Sequence, residues 1–313
     1  MVIFSAVGSV LSIVIMIFMG YVLTAKKWFD EGASKLFSKI VCNIALPCLM
    51  VSDLVGNFDR KKLEGLSSGL IVPFLSMGIC YFIGILVSKL IKVKKNRKGT
   101  FRSMFFVSNS IFIGLPINMA LFGESSIPYV LLYYIANTTF FWTIGAYGIS
   151  KDGDANNSNK IFSKETLARL VSPPLLGFVF GIILIIFNIQ LPKFVLNTCK
   201  YFGNLTTPLS MLFIGIIIFS VDIKRIKPNL EMAAIFVGRF LISPIIIYFF
   251  GKHIGIPILM EKVFVIQAAM PVMTNTSIVA KQYNADYEYA AVMTVVTTIS
   301  SLIFIPIYMY LLG

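Results

Sequence analysis

The sequence is poor in charge and in the residues that most enzymes use for chemistry. Charged residues make up 13% of the 313-residue chain, which has 1 histidine and 14 acidic residues. It contains no H-E-x-x-H, G-x-S-x-G or phosphate-binding-loop pattern, so nothing favours a metalloprotease, a serine hydrolase or an ATP-driven pump. The four cysteines show no C-x-x-C spacing. We therefore expect a non-enzyme with no metal site, no cofactor and no disulfide framework.

Apolar residues dominate instead. They make up 57% of the chain, and the mean hydropathy is +0.86, which indicates an integral membrane protein whose surroundings are the lipid bilayer. The net charge of +13 raises the alternative of a nucleic-acid partner. The basic residues lie in short loops between apolar segments, however, and the positive-inside rule explains them without such a partner.

Ten apolar segments each approach the ~20 residues that a bilayer-crossing helix needs. Most Lys and Arg fall in the predicted inside loops when the N-terminus is placed outside. We therefore predict a multi-pass protein of the bacterial plasma membrane with both termini extracellular. The predicted spans are 2–24, 34–54, 66–90, 101–122, 127–149, 166–188, 199–220, 230–251, 260–282 and 288–312.

A polar linker at 151–160 divides these spans into two sets of five. An odd number of spans places the first repeat (1–150) and the second repeat (161–313) in opposite orientations. The motif N-x-x-x-P occurs in the second span, from Asn43, and again in the seventh, from Asn204. The predicted fold is all-α, with two inverted five-helix repeats. The alternative is that proline is simply common in membrane helices.

Two of the spans carry polar and helix-breaking residues at membrane depth. Ser108–Gly123 (SNSIFIGLPINMALFG) holds Pro116, and Gln267–Ala280 (QAAMPVMTNTSIVA) holds Pro271. Proline removes a backbone donor and clashes with the preceding turn, so we expect helix 4 to break near residues 114–116 and helix 9 near Pro271. Two interrupted helices in matching halves are typical of a transporter's binding site.

The ends of interrupted helices supply groups that bind anions. The free N–H groups that begin a half-helix carry about half a positive charge and attract a carboxylate. Amide and hydroxyl side chains lie beside them, although such side chains also form hydrogen bonds between packed helices. The candidate substrate-binding residues at the two interruptions are Ser108, Asn109, Ser110, Gly114, Pro116, Pro271, Thr274, Asn275 and Thr276.

Neighbouring spans add three more candidates. Tyr134 and Asn137 make the fifth span polar and are expected to line the same cavity. Arg239 lies about nine residues, roughly 14 Å, into its helix. It is either a counter-ion for an anionic substrate or a side chain that snorkels to the membrane surface.

At these residues the sequence resembles the auxin efflux carrier family, which includes auxin exporters and permeases for malate or malonate. The resemblance rests on S-N-S-x-F-x-G-L-P at Ser108–Pro116, on A-A-M-P at Ala268–Pro271 with the following TNTS, and on N-x-x-L-P at Asn43–Pro47. It implies crossover helices at the two interruptions, with the crossover asparagines contacting a carboxylate, and it adds Asn43 to the candidates. It also implies a dimerising scaffold of helices 1, 2, 6 and 7, and a transport domain of helices 3–5 and 8–10 that moves like an elevator.

Together these observations predict a secondary transporter of a small organic anion, auxin-like or malate-like, that acts as a homodimer. A sodium- or proton-coupled carrier of the bile-acid-symporter type is an alternative, and so is a non-transporting anion receptor. Cation/proton exchange would need an ionisable residue at the crossing point, and the sequence places none there.

Overall fold

The computed structural model of the chain describes residues 2–57, 67–153, 172–220 and 228–312. Within these ranges the structure is helical, and its one β-bridge joins Ser108 to Val272. This confirms an all-α membrane protein, while the ten spans and the inverted symmetry stay predictions. Residues 154–171, which include most of the predicted linker, lie outside the described ranges. Among the described residues, five helices are long and apolar enough to cross a membrane: Glu31–Gly56, Ile71–Leu90, Lys193–Ser220, Leu230–Ile254 and Tyr287–Leu312.

Sixteen α-helical segments are named here in chain order. They are α1 (Val2–Ala25), α2 (Glu31–Ile40), α3 (Leu46–Asn57), α4 (Ile71–Leu90), α5 (Lys98–Phe106), α6 (Leu115–Phe122), α7 (Ile127–Phe140), α8 (Ala146–Asp152), α9 (Pro173–Ile186), α10 (Lys193–Gly203), α11 (Thr206–Ser220), α12 (Leu230–Val237), α13 (Ser243–Ile254), α14 (Ile258–Ala268), α15 (Asn275–Gln282) and α16 (Tyr287–Leu312).

The first of two compact units comprises residues 1–69, 111–132 and 171–220. In it α1 packs along α11, and α3 packs against α9 and α10. Small residues permit the close approach of α1 and α11, since a Cβ added at Gly20 would lie 2.5 Å from the Leu212 carbonyl oxygen. Helices in hydrocarbon associate through such backbone proximity because lipid offers no hydrophobic driving force.

The second unit comprises residues 70–110, 133–170 and 221–313. Here α5 packs against α4 and α8, α13 packs against α4 and α14, and α15 packs against α16. The Asp152 carboxylate at the end of α8 accepts hydrogen bonds from the backbone N–H groups of Gly99 (2.7 Å) and Thr100 (2.6 Å). It thereby satisfies donors in the first turn of α5. The division into a scaffold and a moving domain stays a prediction.

Three prolines in these helices each follow a π-helical turn. A proline clashes with the carbonyl group four residues earlier and lacks an N–H group of its own, and a wider π turn before it makes room for the ring. The helix therefore continues through Pro116, and the predicted break near residues 114–116 is wrong. The same spacing of π turn and proline occurs at Val41–Ala45 before Pro47, Ser110–Gly114 before Pro116 and Gly238–Ile242 before Pro244.

The fourth predicted span (101–122) is interrupted several residues earlier, before Ser110. The α5 helix ends at Phe106, Val107 is extended (φ −91°, ψ 134°), and helical structure resumes at Ser110. The interruption of helix 9 lies where Pro271 predicts it, because α14 ends at Ala268 and α15 begins at Asn275. Both interruptions belong to the second unit.

Candidate functional site

The two interrupted segments, residues 107–109 and 269–274, pair with each other, and we call this region the crossing. Ser108 and Val272 form an antiparallel bridge, and the Asn109 backbone N–H donates to the Pro271 carbonyl oxygen at 2.8 Å. Non-helical backbone inside a membrane must find partners within the protein, because lipid supplies none. Each segment therefore provides part of what the other needs.

Side chains from two flanking helices complete the backbone pairing. The Asn137 amide of α7 accepts from the Ser108 N–H group at 2.9 Å and donates to the Ser108 carbonyl oxygen at 2.9 Å. On the other segment, the Thr297 hydroxyl oxygen of α16 accepts from the Val272 N–H group at 3.1 Å. Both side chains are fully buried. They fix the two extended segments in place.

Two hydrogen bonds from side chains join the two interrupted regions, one within the crossing and one directly beside it. Asn109 Nδ2 donates to Thr274 Oγ1 at 2.8 Å, and Gln267 Nε2 donates to the Ser110 carbonyl oxygen at 3.2 Å. The predicted pairing of the two interruptions is therefore direct, and Asn109 is part of it. These amides satisfy backbone and side-chain groups and also lie where a ligand would meet the crossing.

Arg239 is the cation of this region. Its Nη2 atom donates to the Ala268 carbonyl oxygen (2.7 Å) and the Met270 carbonyl oxygen (2.9 Å), and its Nε atom donates to Met270 at 3.1 Å. The Ala268 carbonyl belongs to the last turn of α14 and the Met270 carbonyl follows it, at the end where a helix presents unpaired acceptors and partial negative charge. The Tyr133 hydroxyl lies beside Arg239 and Ser108.

The Arg239 side chain is 0% exposed. The alternative in which it snorkels to the membrane surface is therefore wrong, and the guanidinium is part of the crossing. No carboxylate lies within ion-pair distance of it in the part of the chain that the structure describes. An arginine in the membrane interior needs a partner that compensates its charge. Here three hydrogen bonds to two carbonyl oxygens compensate only part of that charge.

Several buried polar atoms of the crossing and its flanks have no hydrogen-bond partner among the described residues. Arg239 Nη1 and the Thr276 and Thr138 hydroxyls are potential donors, and Gln267 Oε1 is a potential acceptor. All four residues are at least 96% buried. Because an unsatisfied buried polar group is costly, such a set indicates a place for a ligand or water.

The remaining predicted residues divide between the two units. Tyr134 and Asn275 belong to the second unit and are half-buried, and Asn275 is the first residue of α15. Asn43, Gly114 and Pro116 belong to the first unit, so the structure does not group them with the crossing residues. In the first unit the Asn118 amide donates to the Gly114 carbonyl oxygen at 2.7 Å.

Three residues of the site were not singled out from the sequence as ligands. Gln267 lies inside the apolar run KVFVIQAAM, where a lone amide at membrane depth is a usable signal. Thr138 and Tyr133 belong to the polar stretch of the fifth span, but hydroxyl-bearing residues are common in membrane helices, so the stretch does not identify them as ligands. Only the fold brings Tyr133 to Arg239.

Comparisons with known proteins give the chain a context. A family model described as membrane transport protein matches residues 5–309. An uncharacterized transporter of Methanocaldococcus jannaschii is 25% identical over 313 residues, covering 97% of each chain. An uncharacterized transporter of Methanothermobacter thermautotrophicus is 23% identical over 318 residues, covering 98% of this chain and 99% of the relative. Both relatives are similar from end to end.

Proposed function

The chain belongs to the auxin efflux carrier family of membrane transport proteins, and from that premise we propose that it is a secondary transporter of a small organic anion. The observation that carries the proposal is the buried guanidinium of Arg239, bonded to the carbonyls at the broken end of α14 without an acidic partner among the described residues. A carboxylate is the ligand that completes this arrangement.

Charge balance favours an anion over a cation. Within the described part of the second unit, Arg239 is the one charged residue in the buried class, so the crossing carries one formal positive charge. A cation held about 7 Å from it would meet a repulsion of about 2 kcal/mol at an effective dielectric constant of 20. An anion at the same distance would gain a similar attraction.

The hydrogen-bond donors agree with the charge. Arg239 Nη1 and the Thr276 hydroxyl are without partners among the described residues, and the first turn of α15 presents backbone N–H groups beside Thr276. Helix N-termini bind carboxylates and phosphates through such groups. We assign the carboxylate to Arg239, Thr276 and the start of α15, with the Asn109 and Asn275 amides in support.

The mechanism in this proposal is alternating access of the elevator type. The crossing belongs to the second unit, and so do the flanking residues Asn137, Arg239, Gln267, Asn275 and Thr276. A carrier whose binding groups belong to one unit can carry its ligand by moving that unit. The proposal includes a homodimer in the plasma membrane with both termini extracellular.

Counterflow in proteoliposomes tests the proposal. Purified protein is reconstituted with unlabelled carboxylates, chosen from a thermal-shift screen, and uptake of the same labelled carboxylate is followed. A carrier accumulates label transiently, whereas an anion receptor binds without uptake. Absence of counterflow for every carboxylate that stabilises the protein would overturn the transport proposal.

Variants locate the site within the same assay. Asn109→Asp keeps the side-chain shape, but it replaces the amide that donates to the Thr274 hydroxyl oxygen with a carboxylate that can only accept, and it adds a negative charge to the crossing. We expect it to abolish counterflow while the protein still folds, and Asn275→Ala to weaken counterflow. Asn197→Ala, on an exposed face of α10, is the matched control and should transport at the wild-type rate.

A further inference from the structure

A groove on the surface of the second unit contains none of the crossing residues. It is an apolar groove of about 300 Å³. Its walls include Ile245 and Leu311, which are 61% and 67% exposed, so the groove is open along its length. Its lining includes Pro244, Ile245 and Tyr248 of α13, Val265 of α14, and Tyr308 and Leu311 of α16.

On the groove wall, Tyr248 lies six residues before the end of α13, and Val265 lies seven residues after the start of α14. The α13 helix ends at Ile254 and is joined to the start of α14 through residues 255–257, where Gly255 adopts a left-handed conformation (φ 74°). Because helix ends in membrane proteins lie at the headgroup level, the groove runs from that level into the hydrocarbon.

A cation stands one helical turn beyond the groove wall. Lys252 follows Tyr248 by four residues on α13, and its Nζ atom lies 5.8 Å from the centre of the Tyr248 ring. Lys252 is exposed and has no ion-pair partner among the described residues. The surface thus combines an apolar channel for a chain with a lysine at the polar end.

We propose that this groove binds an anionic phospholipid, with one acyl chain along Ile245, Val265 and Leu311 and the phosphate on Lys252. The chemistry is that of the bilayer itself. Burial of each methylene favours binding, and a basic residue at the membrane surface strengthens the binding of an anionic headgroup by about fivefold. A zwitterionic lipid shares the first contribution and lacks the second.

The groove is also connected to the segment that holds Arg239. The Tyr308 hydroxyl, on the groove wall, donates to the Phe240 carbonyl oxygen, and the Phe240 ring stacks on Phe304 at 4.4 Å. Phe240 follows Arg239 directly in the π-helical turn Gly238–Ile242. An acyl chain that packs against Tyr308 therefore stabilises the turn from which Arg239 projects.

The test uses the full-length protein in detergent with added lipid. Phosphatidylglycerol and phosphatidylcholine with the same acyl chains are titrated, and the unfolding temperature is recorded. We expect phosphatidylglycerol to raise it by several degrees and to act at about fivefold lower concentration than phosphatidylcholine, the factor that one interfacial lysine supplies. Lys252→Gln should remove that preference, and Ile245→Trp, which fills the groove, should remove stabilisation by both lipids.

Two controls make the result decisive. Lys193→Gln changes an exposed lysine of the first unit and should leave the lipid preference intact. Native mass spectrometry should show a retained phosphatidylglycerol molecule on the wild type that is lost in Ile245→Trp. Equal responses of the wild type, Lys252→Gln and Ile245→Trp to both lipids would overturn the proposal. Neither measurement depends on transport, so the lipid proposal can fail while the proposed carrier function holds, and the reverse.

Discussion

Asn137 pairs with Ser108 as a neighbouring strand would. The amide of one side chain meets both the N–H and the C=O group of one backbone residue, each at 2.9 Å, in a position where the chain has left its helix. These two hydrogen bonds explain how the fourth predicted span stays interrupted at membrane depth without exposing backbone to lipid. Asn137, which the sequence predicts to line a cavity, therefore holds the backbone of the crossing in place.

Removing this support should destabilise the protein. In Asn137→Ala, two buried backbone groups lose their partner, at a cost of about 1–3 kcal/mol each. We expect a lower unfolding temperature in detergent, because alanine offers no replacement partner to either Ser108 group. Asn197→Ala serves as the control. An unchanged unfolding temperature in Asn137→Ala would show that water or another side chain replaces the amide.

The ionic cluster at Arg97 should couple three segments of the second unit. The Arg97 guanidinium lies 3.2 Å from the Glu231 carboxylate and 2.8 Å from the Asp286 carboxylate, and 4.6 Å from the centre of the Tyr289 ring. These side chains are less than 20% exposed, so solvent screens them weakly. A double-mutant cycle of Arg97→Ala and Asp286→Asn should give a coupling energy of about 1 kcal/mol or more.

An exposed pair in the same protein calibrates that cycle. Lys35 and Glu31 are 2.9 Å apart but 72% and 79% exposed, so their cycle should give less than about 0.5 kcal/mol. Equal coupling in the two cycles would mean that the Arg97 cluster is as solvated as the surface pair. Unfolding in detergent supplies all of the free energies.

Glycine sets the spacing of α1 and α11. Because a Cβ at Gly20 would meet the Leu212 backbone at 2.5 Å, Gly20→Ala must separate the helices, and we expect a loss of about 1–3 kcal/mol. Gly56→Ala is the matched control, since a Cβ there has nothing within 4 Å. Fluorescence-detected size exclusion after heating measures both variants. Equal heat resistance would contradict the packing.

Charge at the crossing should also select the substrate. One buried arginine without an acidic partner in the described residues balances one carboxylate, and a second carboxylate on the same ligand would be buried unpaired, which costs several kcal/mol. Butanoate should therefore stabilise the protein at a concentration at least about tenfold lower than succinate at pH 7. Succinate acting at the same concentration would contradict the single-charge account.

The sequence predicts the composition of the crossing better than its geometry. Asn109, Thr274 and Pro271 are recognisable because polar and helix-breaking residues are costly in hydrocarbon, and the structure brings them together. Pro116 misleads for a physical reason. The π turn at Ser110–Gly114 makes room for its ring, so the helix continues. The residues around Pro116 do not show whether the proline is accommodated in this way or ends the helix.

Long-range contacts account for what sequence reasoning left open. Arg239 reaches Ala268 and Met270, 29 and 31 residues further along the chain, and this direction depends on how α13 packs against α14. Gln267 bonds a carbonyl 157 residues away. Periodicity and local propensity carry no information about such partners, so the choice between a snorkelling and a buried arginine required the fold.

The most direct test of the account is the affinity for a monocarboxylate in three proteins that differ only at residue 239. Isothermal titration of the wild type, Arg239→Lys and Arg239→Gln should give an affinity that falls by about 30-fold or more in Arg239→Gln, since losing one partner of a buried charge pair costs about 2–5 kcal/mol. Arg239→Lys, which keeps the charge without the planar fork, should lie between them. Undiminished binding to folded Arg239→Gln would contradict the claim that this guanidinium holds the anion.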